Sequence, residues 1–486
     1  MKKIIKYSVG IIAIALVYLL ISNFNLIMYK IAIYQQEIVE KISELTENGD
    51  NKVIYTILFF TFLYGIVHSL GPGHGKTLVL TYSVKEKLNF PKLLLVSFLI
   101  AYLQGLSAYI LVKFIINLSD KASMMLFYDL DNRTRLIASI LIILIGLLNL
   151  YSATISLKRN FMLSQIIATL LGFILMFVLI AVNIQFLKRL YLPIYIISIG
   201  LLVLVLIIGT GDSVGARSWI KFGPISFQPS EFVKLAMIIC LATVIEKNSS
   251  KLNEPKTLIK VLAFAFLPVG LVLMQPDFGT AFVFILVIGT MLFVAGISLR
   301  LVVYTLLAAI ASLPIFYFSL SPYQKNRILN FLHPERDISN TGYQAVQGKI
   351  AAGSGKFIGR GLFKGPQNQF NFIPEKQTDY IFPVFIEEMG FVGGTILISL
   401  YTIMLYRFIK LSKKTINKFN QMLIIGIFAM FLAHIFENIG MTIGLMPITG
   451  IPLPFLSYGG TFQLVNLIAM GIVLSISCEK TPLDFM

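Results

Sequence analysis

The sequence predicts an all-α polytopic membrane protein, and two observations carry that expectation. The chain of 486 residues is 57% hydrophobic and only 13% charged, against about 25% charged in soluble domains. Its apolar residues fall in long runs, many close to the roughly 20 residues that a membrane helix needs. These runs lack strict alternation and outlast barrel strands, which favours helices over a β-barrel. The net charge of +17 suits lysine-rich inner loops and calls for no nucleic acid partner. The two cysteines, Cys240 and Cys478, sit inside or beside apolar runs. They read as small buried hydrophobes, not as a disulfide or a zinc site.

Apolar runs fall at about 7–28, 53–83, 92–118, 135–154, 162–187, 191–209, 229–246, 257–275, 278–298, 300–320, 381–407, 421–446 and 460–478, about 13 candidate helices. The first follows Met1, Lys2, Lys3 and Lys6 with no small-residue cleavage site, so a retained signal-anchor helix is expected. Residues 30–52 are polar, amphipathic and acid-rich, and residues 119–134 form a short polar linker. That linker divides the chain into a module of residues 1–128 and one of residues 129–486.

Charge gives the second module an orientation. With Arg135 on the cytoplasmic side, the inner loops hold Lys188 and Arg189, then Lys247, Lys251, Lys256 and Lys260. Arg300 follows, and then Arg407, Lys410, Lys413, Lys414 and Lys418. This ladder obeys the positive-inside rule. It leaves a ten-helix bundle with both ends inside and a large extracytoplasmic loop, residues 321–380, between its seventh and eighth helices. About three extra membrane helices precede it, and three simple crossings from an inner N-terminus would put Arg135 outside. Either the 53–83 run bends back at Gly71-Pro72-Gly73-His74-Gly75 or one of these runs does not span.

The outer insert carries eight Lys/Arg against four acids. Lys349, Lys356, Arg360 and Lys364 lie among glycines, which fits either a flexible solvated loop or a pyrophosphate site. Asp379 stands where the chain re-enters the membrane, a costly place for an acid unless it is paired or wet. Locally, Thr378-Asp379 reads as a helix N-cap. Glu375 either shares a site with Asp379 or pairs with Lys376 or Arg360. Pro229 suits the first turn of a helix, with Glu231 near its positive end and Lys234 on the same face. Arg217 and Trp219 suit an interfacial anchor pair. Asp277 is a turn acid between two helices. Glu437 and Asn438 are expected to hydrogen-bond between helices.

Residues 132–480 resemble the SEDS family of peptidoglycan glycosyltransferases through ordered motifs. These are Asn149-Leu150-Tyr151-Ser152-Ala153-Thr154, Gly215-Ala216-Arg217-Ser218-Trp219-Ile220, Phe227-Gln228-Pro229-Ser230-Glu231-Phe232-Val233-Lys234 and Gln275-Pro276-Asp277-Phe278-Gly279-Thr280. Gly342-Tyr343-Gln344, the run Pro374–Phe382 and the run Gly444–Gly460 complete the set. The Gly450-Ile451-Pro452-Leu453-Pro454 form is closer to the RodA branch than to the FtsW branch. The resemblance implies Asp379 as the catalytic residue, as a base for the acceptor hydroxyl or as ligand of a divalent cation, Mg or Mn, that assists pyrophosphate departure. It implies Arg217, Trp219, Glu231, Lys234, Asp277, Gln344, Lys349, Arg360 and Glu375 as substrate-binding residues. Lipid II and undecaprenyl-pyrophosphate-linked glycan would be the substrates, and a class B penicillin-binding protein the partner. The expected setting is the bacterial cytoplasmic membrane during cell elongation, with a division polymerase or a lipid II flippase as alternatives.

Residues 1–128 resemble the N-terminal half of NicO-type nickel/cobalt transporters, through Tyr34-Gln35-Gln36 and the run from Phe62 to Thr77. The resemblance implies His68 and His74 as ligands for a soft divalent ion. Gln104 stands where that family has a further His, and the family's remaining helices are absent. The module therefore reads as truncated and vestigial, with nickel/cobalt efflux as a minor alternative.

Overall fold

A computed structural model of the protein describes residues 130–157, 161–210, 218–222, 225–304 and 341–478, with a few isolated positions between 304 and 341. The expectations for residues 1–128, including His68 and His74, lie outside the described residues, as does Arg217.

The described chain is helical, as its apolar runs predict. In order it forms α1 (Leu130–Thr154), α2 (Phe161–Ala181), the short α3 (Gln185–Arg189) and α4 (Tyr191–Ile208). A two-stranded hairpin, β1 (Ile220–Phe222) and β2 (Ile225–Phe227), leads to α5 (Pro229–Lys247), α6 (Pro255–Leu273) and α7 (Phe278–Ala295). Then come α8 (Thr341–Ser354), α9 (Pro366–Gln369), α10 (Ile381–Lys414), α11 (Lys418–Thr442) and α12 (Gly460–Ser477). Eight of these are long and apolar enough to cross a membrane. α5, of 19 residues, carries Glu231, Lys234, Glu246 and Lys247, and a further helix opens at Leu299. The helix at Leu299 is described as far as Tyr304.

α2 packs along α12, α7 along α11, α5 along α4 and α11, and α10 along α11 and α1. Small residues set the closest approaches. At Gly146 a Cβ would run into the backbone of Phe455, and at Gly172 into the side chain of Leu467. Under the orientation that the charge ladder assigns, polar contacts gather at both ends of the bundle. At the inner end Lys188 of α3 pairs with Glu246 of α5 at 2.6 Å, and Lys247 lies 4.0 Å from the ring centre of Tyr191. At the outer end Ser156, Asn371 and Lys376 meet.

Two features of the outer half depart from the sequence reading. The glycine-rich stretch expected as a loop is helical over α8, where Gly348 lets the Tyr380 ring lie against the helix. α10, at 34 residues, would measure about 51 Å as one rod, well beyond a hydrocarbon core of about 30 Å. It breaks at Gly390, whose φ of 67° and ψ of −168° are not helical. A clasp from residues 356–361 closes the break. Phe391 N and Val392 N donate to Lys356 O and Phe357 O at 2.9 and 3.1 Å, and Arg360 N and Gly361 N donate to Glu387 O and Glu388 O at 2.9 Å each. Two amides and two carbonyls that the break frees are thereby satisfied. Residues 391–414 alone give about 36 Å, enough to span.

Candidate active site

Asp379 sits in the last turn before α10. The N-cap position is Tyr380, and it makes no side-chain cap bond, so the local reading of Asp379 as the cap does not hold. The main chain around Asp379 is instead clamped from the C-terminal elements. Tyr458 N donates to Gln377 O at 2.8 Å, Ser457 Oγ to Thr378 O at 2.6 Å, and Asn438 Nδ2 to Asp379 O at 2.9 Å. Three consecutive carbonyls are thus held by three separate donors, while the Asp379 side chain remains half-exposed. Gly450 lies beside it, and a Cβ there would come within 3.4 Å of Asp379 Oδ2. Burial, and then the Asp379 charge, push the Tyr380 phenol above its ordinary value. A carboxylate on a turn fixed in this way meets the pre-organisation that catalysis demands.

Behind this turn lies a buried polar cluster. Lys234 Nζ reaches Glu231 Oε1 at 2.9 Å, with the side chains 1% and 3% exposed. It also lies 2.7 Å from His434 Nε2. An ammonium cannot accept, so Nε2 is the acceptor and Nδ1 carries the proton, donating to Pro452 O at 3.2 Å. The Phe462 ring closes the cluster, 4.9 Å from the imidazole and 5.8 Å from Lys234 Nζ. Asp277 caps α7, its Oδ1 accepting from Thr280 N at 3.0 Å and its Oδ2 from Thr280 Oγ1 at 2.9 Å. Its charge acts on both Glu231 and Glu437. Asn438 joins the cluster to the turn, giving its other bond to Ile451 O at 2.7 Å. The expectation of hydrogen bonds between helices is not met as such: Asn438 bonds to the turn at Asp379 and to the loop at Ile451, and Glu437 has Thr449 of the same loop as its polar neighbour. The Thr449 hydroxyl also lies 3.6 Å from Met441 Sδ.

The structure therefore unites Glu231, Lys234 and Asp277 near Asp379, keeps Glu375 on the same turn, and scatters Lys349, Arg360, Gln344 and Trp219. Lys349 is exposed on α8 and reaches over the Gly444 turn that ends α11. Arg360 is exposed on the clasp, its amide bound to Glu387, about 12 Å further along α10 than Asp379. Gln344 spans to Pro374 O at 3.3 Å. Trp219 is half-buried, with its carbonyl tied to Thr210 N at 2.8 Å. Glu375 pairs with neither Lys376 nor Arg360. Its Oε2 accepts from Gln377 Nε2 at 3.1 Å and Thr378 Oγ1 at 3.2 Å, which folds it against its own turn. That turn lines an outer cavity of about 420 Å³ together with Leu157, Phe161, Asn371, Ile373 and Pro374.

Sequence reasoning passed over His434, Asn368, Glu387 and Glu388 and offered Lys376 only as a partner for Glu375; all five are buried. His434 was open to detection, as an ionisable group inside an apolar run. The others needed the clasp and the turn to be seen in place. Among the described residues no three His, Cys, Asp or Glu side chains gather to hold a metal. A magnesium-like ion commonly takes one or two carboxylates and completes its shell with substrate phosphates. Asp379 fits that role as the single protein ligand, and such an ion would neutralise charge on a departing pyrophosphate.

The model of the FtsW/RodA/SpoVE family of cell cycle proteins matches residues 132–482. The chain belongs to this family. Among its FtsW/RodA/SpoVE relatives, the peptidoglycan glycosyltransferase MrdB of Escherichia coli (strain K12) is 38% identical over 291 residues, 60% of this chain and 78% of the relative. Stage V sporulation protein E of Bacillus subtilis (strain 168) is 35% identical over 350 residues, 70% of this chain and 95% of the relative. A solved structure on the coordination of polymerization and crosslinking by a peptidoglycan synthase complex aligns with TM-score 0.63 at 31% identity, covering 72% of this chain and 98% of that one. The crystal structure of the rod shape determining protein RodA of Thermus thermophilus aligns with TM-score 0.55 at 28% identity, covering 72% and 97%.

Proposed function

We propose that the protein is a peptidoglycan glycosyltransferase that polymerises lipid II at the outer face of the membrane, with Asp379 as the group that takes the acceptor proton. The single observation that carries this is a half-exposed carboxylate on a turn whose three carbonyls are pinned. The acceptor hydroxyl loses its proton to Asp379 as its oxygen bonds to the anomeric carbon of the donor. The bond from that carbon to the pyrophosphate oxygen breaks, and the pyrophosphate leaves with the electron pair. Glu231, Lys234 and Asp277 shape the buried wall behind the turn, and Lys349 and the cations of the clasp line the outer surface that a lipid-borne anion crosses.

The Gly450-Ile451-Pro452-Leu453-Pro454 form supports a role in elongation, tested by whether the gene restores rod shape or septation to cells depleted of each function. The likeness to a peptidoglycan synthase complex supports a class B penicillin-binding protein as partner. The enzymatic reading is tested by giving purified protein labelled lipid II. Glycan ladders are expected from the native chain and none from Asp379→Ala. Ladders that persist at the native rate in Asp379→Ala would refute it, and translocation of lipid II without ladders would point to transport.

A further inference from the structure

The reaction as proposed gives no task to Lys376, a deeply buried cation at the start of the turn. Lys376 is 1% exposed and precedes Asp379 by one turn of chain. Its ammonium donates to Ser156 Oγ at 2.8 Å and to Asn368 O and Oδ1 at 2.5 and 2.8 Å. Those bonds engage all three of its protons. Asn368, fully buried in α9, passes the connection on. Its Nδ2 lies 3.1 Å from Ser152 O, 3.2 Å from Ser152 Oγ and 3.0 Å from Glu388 Oε1. Ser152 Oγ donates to the same Glu388 oxygen at 2.5 Å. Glu387 receives Gln367 N, Asn368 N and Ser354 Oγ at 2.9, 3.1 and 3.3 Å. One network thus joins α1, α8, α9 and the end of α10 that precedes the Gly390 break.

A buried ammonium is costly, and an apolar side chain of that size would pack there at lower cost. The ammonium does one thing that an apolar side chain does not. It ties the start of the 376–379 turn to α1 and α9, while Asn438, Ser457 and Tyr458 hold carbonyls 377 to 379 from the opposite side. Without it the turn is clamped on one flank only.

We propose that Lys376 is a positioning residue for Asp379, locking the turn to the outer end of α1 and to the broken helix so that the carboxylate meets the reacting hydroxyl. The inference rests on the reading of Asp379 as the proton acceptor. Lys376 is faced by Ser152 from α1, Ser156 just beyond it, Asn368 from α9, and Glu387 and Glu388 from α10. Burial brings its ammonium down from 10.5 to about 8, and the charges of Glu388 and then Glu387 oppose that fall. The third donated bond is therefore lost as pH rises through about 8, and turnover falls with it.

The test uses the full chain in proteoliposomes with labelled lipid II. Lys376→Met should lower kcat about 100-fold with KM near native, the effect of moving a reacting group by about 1 Å. Lys376→Arg, always charged, should recover most of kcat and move the alkaline limb of the pH profile upward by more than about one unit. Amide hydrogen exchange across residues 371–380 should quicken in Lys376→Met and return to native in Lys376→Arg. An inactive Asp379→Ala beside a Lys376→Met with native kcat overturns the role of Lys376 and leaves Asp379 standing. Unchanged exchange in the turn overturns it equally, whatever the rate. A native rate in Asp379→Ala instead overturns the reading of Asp379 and this inference together.

Discussion

Replacing Asn438 by leucine separates holding the Asp379 turn from the chemistry that the turn performs. Leucine keeps asparagine's branching and number of side-chain heavy atoms and removes both donated bonds, 2.9 Å to Asp379 O and 2.7 Å to Ile451 O. Ile451 is 2% exposed, so its carbonyl bears the full cost of an unmade bond, about 1–3 kcal/mol. The Asp379 carbonyl belongs to a half-exposed residue and can turn to water, so its share is smaller. The sum, about 2–4 kcal/mol, lies below a typical 5–15 kcal/mol of folding stability and should lower the thermal midpoint by about 2–6 °C in a chain of this size. The turn then loses its inner clamp, and a carboxylate displaced by about 1 Å costs about 100-fold in rate. Measuring ladder synthesis at saturating lipid II beside thermal unfolding in detergent reads both numbers on one preparation. A native kcat at a lowered midpoint would refute the argument that this bond positions Asp379. A native midpoint would show that the bonds are not made.

Two further outcomes follow from the packing. Lys234→Ala leaves Glu231 buried without its cation and should cost about 3–5 kcal/mol, whereas Glu231→Gln combined with Lys234→Met should recover much of that. Equal thermal midpoints for the single and double variants would contradict a buried ion pair. Gly390→Ala should cost at least about 1–3 kcal/mol, because φ 67° with ψ −168° is a glycine-only conformation and the added Cβ would meet the clasp at Gly359. Gly270→Ala in α6, with nothing within 4 Å of the new atom, serves as the control, and a similar loss in both would refute the clasp.

The transmembrane segments were legible because burial in lipid demands about 20 apolar residues wherever a helix crosses, whatever its neighbours. Pro229 at the start of α5 and the pairing of Glu231 with Lys234 were legible for a similar reason, since both are short-range. Other elements looked misleading from local pattern. Thr378-Asp379 reads as a cap, yet the cap falls at Tyr380, because three distant donors set the turn's conformation before any side chain could. Glu375 and Lys376 look like an ion pair, yet adjacent residues on a tight turn point apart, one into its own loop and the other into the core.

Chain chemistry alone thus set the class of the protein, an expected orientation and the acid just before α10, because hydropathy and charge act through the solvent and need no partner. The clamps on Asp379, the clasp over Gly390 and the burial of Lys376 came only with folding. Each joins groups far apart along the chain, as between Lys376 and Ser156 or Asp379 and Asn438, and no local pattern encodes which distant donor a given carbonyl will meet.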